Sequence, residues 1–426
     1  MNVANILYNI IPANFLKNAS VLFLGSAISQ VMAFFALLFL TRLYEPSAFG
    51  RLEVFLAIGS FLTVLANFRL ESIIGLVHEH KEANNVLMLC ILSNIIFFFL
   101  TSIFCFFSFK IFKTEDIYML LPFYIFTSAF SESFKYYQFR QERYSNVTYF
   151  RNIKVLFIFS FCFIFAGFGF SQYGLILGNL FGEMIAAISL AKMCKNFSFK
   201  DYSFDIIMQI YRKHRVLTQV LFSSQIIEIS AAKIPSFFIS IVGSKEELGY
   251  YSICRLILTA PAMIAENIGS IYRQEAIREN HRYGKFSSCF SLYFLIISLF
   301  AGVIFSLLFF GGHIILNIVV GRFVDGIEPY FYILLISSFF GFLTTPLDKG
   351  AQIAGAKRYI FFWTVSRAST IIFGSFLFYE LKLGILEYLV FLVVSQSFYY
   401  VYDLVYEYHL SFGNKKRMSD ITPAIN

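Results

Sequence analysis

Twelve apolar stretches, each about as long as a bilayer is thick, constrain this 426-residue chain more than any other feature of it. An α-helix rises about 1.5 Å per residue, so roughly 20 apolar residues carry it across a hydrocarbon core of about 30 Å. The predicted spans lie at residues 19–41, 52–77, 86–109, 117–134, 153–171, 173–194, 216–242, 248–272, 287–310, 329–347, 359–379 and 385–408. The run from Val21 to Leu40 is too long for the apolar core of a secretory signal, and no small-residue cleavage site follows it. It is expected as an uncleaved first span. The stretch from Gly311 to Val320 is apolar but too short to cross, and is expected to lie at the interface within a loop.

The predicted class is therefore an all-α integral membrane protein. Charged residues make up 14% of the chain, against about 25% in soluble domains. The six cysteines (Cys90, Cys105, Cys162, Cys194, Cys254 and Cys289) are scattered singly in or beside apolar segments. They read as small hydrophobes, with no disulfide or metal-ligand spacing. His78 and His80 flank Glu79 without any further ligand set, so no metal site is expected there. There is no Gly-rich Lys-Ser/Thr phosphate loop, hence no ATP motor, and no Gly-x-Ser-x-Gly elbow. The reading is a passive or ion-coupled carrier rather than an enzyme, with no cofactor.

The basic residues set an orientation. With both termini inside, and Lys154 and Lys192 at span ends counted with their loops, 23 of the 34 Lys and Arg residues fall in inward segments, 7 in outward ones and 4 within spans. This agrees with the positive-inside rule and accounts for the net charge of +8 without a nucleic-acid partner. Loops are short; the longest, about 195–215, is charged and amphipathic and divides the spans six and six. The expected domains are an N-terminal six-helix bundle (1–198), a cytoplasmic linker (199–215) and a C-terminal six-helix bundle (216–426) with a short tail.

An internal echo supports a duplication. The loop Glu45-Pro46-Ser47-Ala48-Phe49-Gly50-Arg51-Leu52 is matched 199 residues later by Ser244-Lys245-Glu246-Glu247-Leu248-Gly249-Tyr250-Tyr251. Both place a bulky apolar residue and a Gly just before a descending span. A weaker inward echo sets Gln138, Gln141 and Arg143 against Gln352, Gly355 and Lys357. Because six is even, two such bundles have the same orientation, giving a parallel pseudo-two-fold repeat about the membrane normal, with a path between the bundles.

Four cations fall inside spans: Arg69, Lys233, Arg255 and Arg367. A cation in hydrocarbon costs about 2.5–3.5 kcal/mol, so it faces a cavity or a partner, and several together suggest a path for an anion. Lys233 and Arg367 lie deepest and are the preferred substrate-binding pair. Arg69 and Arg255 are close enough to the span ends to reach the interface along their own stems. Among the acids, Glu183, Glu228 and Glu266 lie inside spans. Glu228 is the preferred ion-coupling carboxylate, because desolvation would let it load and release a proton near neutral pH. Its alternative is a structural bond to Lys233. Arg69 and Glu71, at i and i+2, are not expected to share a helix face. An Arg69–Glu266 pair is expected instead, as a gate on the cytoplasmic side. Asp403 and Glu407 are expected at a solvated helix end.

The segment FLTRLYEPSAFGRLEVFLAIGSFLTVLANFRLESII (Phe39–Ile74) resembles the opening of Wzx-type polysaccharide-unit flippases. These belong to the multidrug/oligosaccharidyl-lipid/polysaccharide exporter superfamily. LNIVVGRFVDGIEPYFYILLISSFFG (Leu316–Gly341) and QIAGAKRY (Gln352–Tyr359) are similar to that family's later loops, although Arg322, Phe323 and Val324 depart from its more polar ending. The resemblance implies that undecaprenyl-diphosphate-linked oligosaccharide, destined for O-antigen of lipopolysaccharide or for capsular polysaccharide, is carried from the cytoplasmic to the outer leaflet. It further implies the bacterial inner membrane, alternating access between two lobes, a cationic cavity and an ion gradient. The implied partners are the lipid-linked substrate, membrane lipid, a polysaccharide polymerase and a chain-length regulator.

Three rival readings are open. A multidrug exporter of the same superfamily would prefer an acidic cavity to a basic one. A peptidoglycan-precursor flippase resembles a longer chain with fourteen spans. A polysaccharide polymerase, an enzyme, usually carries a long outward loop with catalytic residues, whereas the loop at about 311–328 is mostly apolar.

Overall fold

The computed structural model describes residues 13–77, 79–113, 115–194, 197, 203–321 and 324–413. All regular elements among them are helical. The chain divides into two compact units, Met1–Gly249 and Tyr250–Asn426. Both the helix predicted to open the second bundle and the first turn of the one after it thus belong to the first unit.

The first unit holds α1 (Ala13–Leu43), α2 (Pro46–Asn67), α3 (His80–Phe112), α4 (Leu121–Arg140), α5 (Tyr144–Gly167), α6 (Gly174–Lys192) and α7 (Phe204–Val242). Helix α8 (Lys245–Tyr283) starts there and runs into the second unit. The second unit continues with α9 (Ser287–Phe310), α10 (Gly312–Val319), α11 (Val324–Thr344), α12 (Gly350–Ile353), α13 (Lys357–Glu380) and α14 (Ile385–Ser411). Ten described helices are long and apolar enough to cross a membrane. The other two predicted spans are also helical. One is α1, whose described apolar part is Ala27–Leu43. The other is α4, where Glu132, Lys135 and several hydroxyl residues dilute the apolar run. The chain is an all-α, multi-pass membrane protein.

Several hydroxyl side chains inside the spans are satisfied locally, as a medium without water demands. Ser29, Thr41, Thr63, Thr101 and Ser375 each donate to the carbonyl four residues back, at 2.8–2.9 Å. Helix α6 packs on α5 through two small residues, Gly178 and Gly182, and Gly174, one turn earlier, leaves room for the Tyr44 ring. A Cβ at Gly182 would stand 2.7 Å from the Cα of Ile158, and one at Gly178 2.8 Å from the Cys162 amide nitrogen. Small residues spaced by four let backbones approach where hydrophobicity alone gives no drive to associate. All six cysteines are free thiols.

Three local outcomes differ from the sequence reading. Helix α2 stops at Asn67 because Phe68 (φ 49°) and Arg69 (φ 57°) take left-handed backbone, and a 3₁₀ turn, Leu70–Gly75, follows. Helix α8 runs 39 residues, well past its predicted end at 272. The Gly311–Val320 stretch forms the short helix α10, which buries Leu316 and Val319 within the second unit. Arg322 and His78 lie outside the described residues.

The two echoed loops meet inside the first unit. Gly50 in the first turns of α2 lies against the start of α8: a Cβ there would clash with the carbonyl of Lys245 and come within 3.1 Å of the Gly249 amide nitrogen. Reciprocally, a Cβ on Gly249 would clash with the carbonyl of Pro46. The glycine shared by both copies of the echo is therefore the residue that lets the two helix starts cross.

Candidate functional site: charged residues within the spans

In the first unit the intramembrane cations meet carboxylates. Lys233 Nζ lies 3.3 Å from Glu53 Oε1, which also accepts a 2.8 Å bond from Ser236 Oγ. Lys233 stands two residues before Pro235, a buried helix-interior proline. Lys154 on α5 pairs with Glu183 on α6, whose side chain is 3% exposed. Arg51 donates to Glu115 at 2.8 Å and lies over the ring of Tyr173, and Glu115 also bonds Lys245.

Arg69 pairs with Glu71, Nη1 to Oε1 at 3.3 Å, contrary to the expectation that the two could not neutralise each other. The i, i+2 argument holds on a helix, but these residues sit where the helix has ended, and the left-handed backbone at Arg69 turns its side chain toward Glu71. Glu71 is buried, with Oε2 lacking a hydrogen-bond partner.

Glu53 is the residue the sequence reading missed. Its signal was available: a lone acid in the apolar run Leu52–Leu56, the same argument that singled out the cations. It supplies the partner of Lys233 in place of Glu228. Glu228 has its side chain exposed on α7 rather than buried within this unit. The side chain of Glu266 on α8 is also exposed.

The second unit treats its charges differently. Arg367 on α13 donates from Nε to Gln396 Oε1 at 2.8 Å. Its guanidinium lies 5.1 Å from the Trp363 ring and 5.5 Å from the Tyr400 ring. Among the described residues no carboxylate forms an ion pair with it. A guanidinium between aromatic faces keeps its full charge and leaves its outer N–H groups in a fork suited to phosphate. Arg255 on α8 lies over the Tyr251 ring at 5.5 Å.

Asp403 and Glu407 are not a solvated end. They are 5% and 1% exposed and turn inward from α14. Asp403 accepts a 2.6 Å bond from Tyr359 Oη, and Glu407 accepts the Ala351 amide at 2.9 Å, capping the short α12. Gly350 leaves the room that Glu407 occupies. Asp348, in the loop after α11 beside Lys349, shares this region; burial raises its carboxyl above the usual range, against the pull of Lys349. Among the described residues no group of three His, Cys, Asp or Glu side chains is placed to hold a metal ion. His80 Nδ1 instead lies 3.2 Å from Arg140 Nη1.

Comparison with known proteins follows the same lines. No curated protein matches the sequence. Among solved structures, an inward-facing multidrug resistance MATE family transporter of the MOP superfamily aligns over 93% of this chain and 94% of its own, with 14% identity and a TM-score of 0.61. The lipid II flippase MurJ, in an inward closed conformation, aligns over 95% and 90%, with 14% identity and a TM-score of 0.57. A MOP superfamily transporter from Pyrococcus furiosus, described as having a binding pocket of reverse polarity, aligns over 92% and 94%, with 12% identity and a TM-score of 0.51. At such identities the likeness is one of fold. A family profile described as polysaccharide biosynthesis protein matches residues 39–273, more than half of the chain. This chain belongs to the polysaccharide biosynthesis protein family.

Proposed function

We propose that the protein is a flippase that carries a lipid-diphosphate-linked oligosaccharide from the cytoplasmic to the outer leaflet of a bacterial inner membrane. The observation that carries this reading is Arg367, an intramembrane guanidinium held by a neutral amide and two aromatic rings, with no ion-pairing carboxylate among the described residues. A cation held in the membrane without a direct carboxylate partner is suited to meet an anion. Undecaprenyl-diphosphate-linked O-antigen or capsular repeat units are the substrate class that the family and the cation together suggest.

Arg367 is the first phosphate ligand in this reading, and Arg255 contributes from α8. Lys233 enters only when the incoming diphosphate competes with Glu53 for it, and Arg69 is held in reserve by Glu71. An ion gradient drives alternating access, with Glu228, exposed on α7, as the coupling carboxylate and Glu266 as a gate residue. The chain works as a carrier and not as a polymerase.

The test is flipping in proteoliposomes of a fluorescent lipid-diphosphate oligosaccharide, read by its accessibility to an external modifying reagent. Arg367→Ala should cut the rate by tenfold or more, and Arg367→Lys should restore part of it, since a point charge replaces a planar fork. An Arg367→Ala protein that flips at the normal rate would overturn the assignment. Glu228→Gln should flatten the pH dependence; an unchanged profile removes the coupling role. One observation favours a second reading: the buried Asp403 and Glu407 of the second unit, with the half-buried Asp348, would suit a cation. Uptake of a cationic dye by the same vesicles, abolished by Asp403→Asn, would establish a drug exporter instead.

A further inference from the structure

The first unit carries a groove that the flipping reading does not use. One face of α7 lies open beside the 3₁₀ turn after α2 and beside Leu89 of α3, leaving a cavity of about 420 Å³. Its apolar wall includes Phe68, Leu70, Leu89, Ile207 and Phe222, and the rings of Phe68 and Phe222 touch, with centroids 5.4 Å apart. The residues contributed by α7 recur at helical spacing, Ile207 and Met208, Tyr211, Arg215, Thr218 and Gln219, and Phe222, so a single stripe of that helix faces the groove.

The polar groups of this groove are concentrated on α7: Arg215, Thr218 and Gln219, with Tyr211 four residues before Arg215. Arg215 is exposed and has no ion pair among the described residues. It closes the run Arg212-Lys213-His214-Arg215, after which the apolar stretch beginning at Val216 enters the membrane. With 39 residues, α7 is about 58 Å long, nearly twice the hydrocarbon thickness, so its first turns stand in the headgroup region. The groove thus crosses the level at which lipid phosphates lie, with a basic cluster at that level and apolar walls beside it.

We infer that this groove binds one anionic glycerophospholipid of the inward leaflet, its phosphate on Arg215 and one acyl chain along Phe222, Phe68 and Leu89. Basic pockets between membrane helices on the cytoplasmic side suit such headgroups, and each basic residue near the surface adds about 1 kcal/mol of attraction. Zwitterionic lipids gain nothing from the cluster. The bound chain packs against Phe68 and Leu70, the two neighbours of Arg69, so the lipid buttresses the strained turn that holds the Arg69–Glu71 pair.

The experiment is native mass spectrometry of the full-length protein, delipidated and then offered phosphatidylglycerol, phosphatidylcholine or polyprenyl phosphate at equal concentration. The expected result is one phosphatidylglycerol retained at least fivefold over phosphatidylcholine, lost in Arg215→Gln and in the groove-filling Met208→Trp. Phosphatidylglycerol should also raise the melting temperature of the unaltered protein and not that of Arg215→Gln, which keeps the test valid if Met208→Trp folds poorly. Equal retention of phosphatidylcholine overturns the proposal, since the groove would then hold ordinary annular lipid. Preferred retention of polyprenyl phosphate overturns it as well, making the groove a substrate subsite. Each outcome is independent of whether flipping is observed.

Discussion

The two units handle intramembrane charge in opposite ways. The first matches its charges: Lys154 with Glu183, Lys233 with Glu53, and Arg69 with Glu71. The second separates them, resting Arg367 on aromatic rings and an amide while gathering Asp403 and Glu407 against a tyrosine and a backbone amide. Paired charges hold helices together at fixed positions and present little net field. Carboxylates and a guanidinium held by neutral partners are not locked to one another as ion pairs are.

The largest effect that would sharpen this contrast is at Lys154. Lys154→Ala strands Glu183, which is 3% exposed, and should cost about 3–5 kcal/mol, read as lost thermal stability in detergent. Replacing both by Met and Gln should recover most of that loss. A single variant as stable as the parent would break the claim that the first unit depends on its pairs. In the second unit, Tyr359→Phe removes the hydrogen bond to Asp403 and should cost about 1.5–3 kcal/mol, the range for a bond to a charged group. No measurable change would mean that this bond does not hold Asp403 in place.

Gly50→Ala and Gly249→Ala each press a methyl into a backbone carbonyl at the same crossing and should destabilise by about 1–3 kcal/mol. Because both relieve their strain by separating the same two helix starts, the double variant should cost less than the sum. Strict additivity would separate the two sites. The smallest effect concerns Asp348. Its carboxyl is raised in the folded protein, so the fold binds this proton more tightly than the unfolded chain does. That contribution is fully present below the unfolded pKa and is lost as pH rises through the folded value. A pH series of melting temperatures should therefore fall less steeply above the ordinary carboxylate range in Asp348→Asn than in the parent.

Much of this was legible in one dimension, and the failures have physical causes. Span positions could be read because a crossing helix must be apolar over its whole length. The cations could be read for the same reason, since a charge is conspicuous against that background. Their partners could not. Glu53 and Lys233 are 180 residues apart, and only packing of α2 on α7 brings them within reach. Arg69 and Glu71 were separated by a helical rule applied beyond the end of the helix. Asp403 and Glu407 looked like a frayed inner end because their burial depends on α12 and Tyr359 folding over them. The glycine pair of α6, at a spacing of four, was visible in the sequence and went unread.

Composition and periodicity by themselves determined that this chain is a helical, multi-pass membrane protein, because the bilayer acts on each segment independently of the others. The repeated loop Gly50/Gly249 was likewise visible as an echo, although its role as a backbone crossing was not. The tertiary structure alone decided which charges are spent and which are kept. Neutralisation acts over a few ångströms between residues far apart in the chain, and no pattern along one helix records what another brings to meet it.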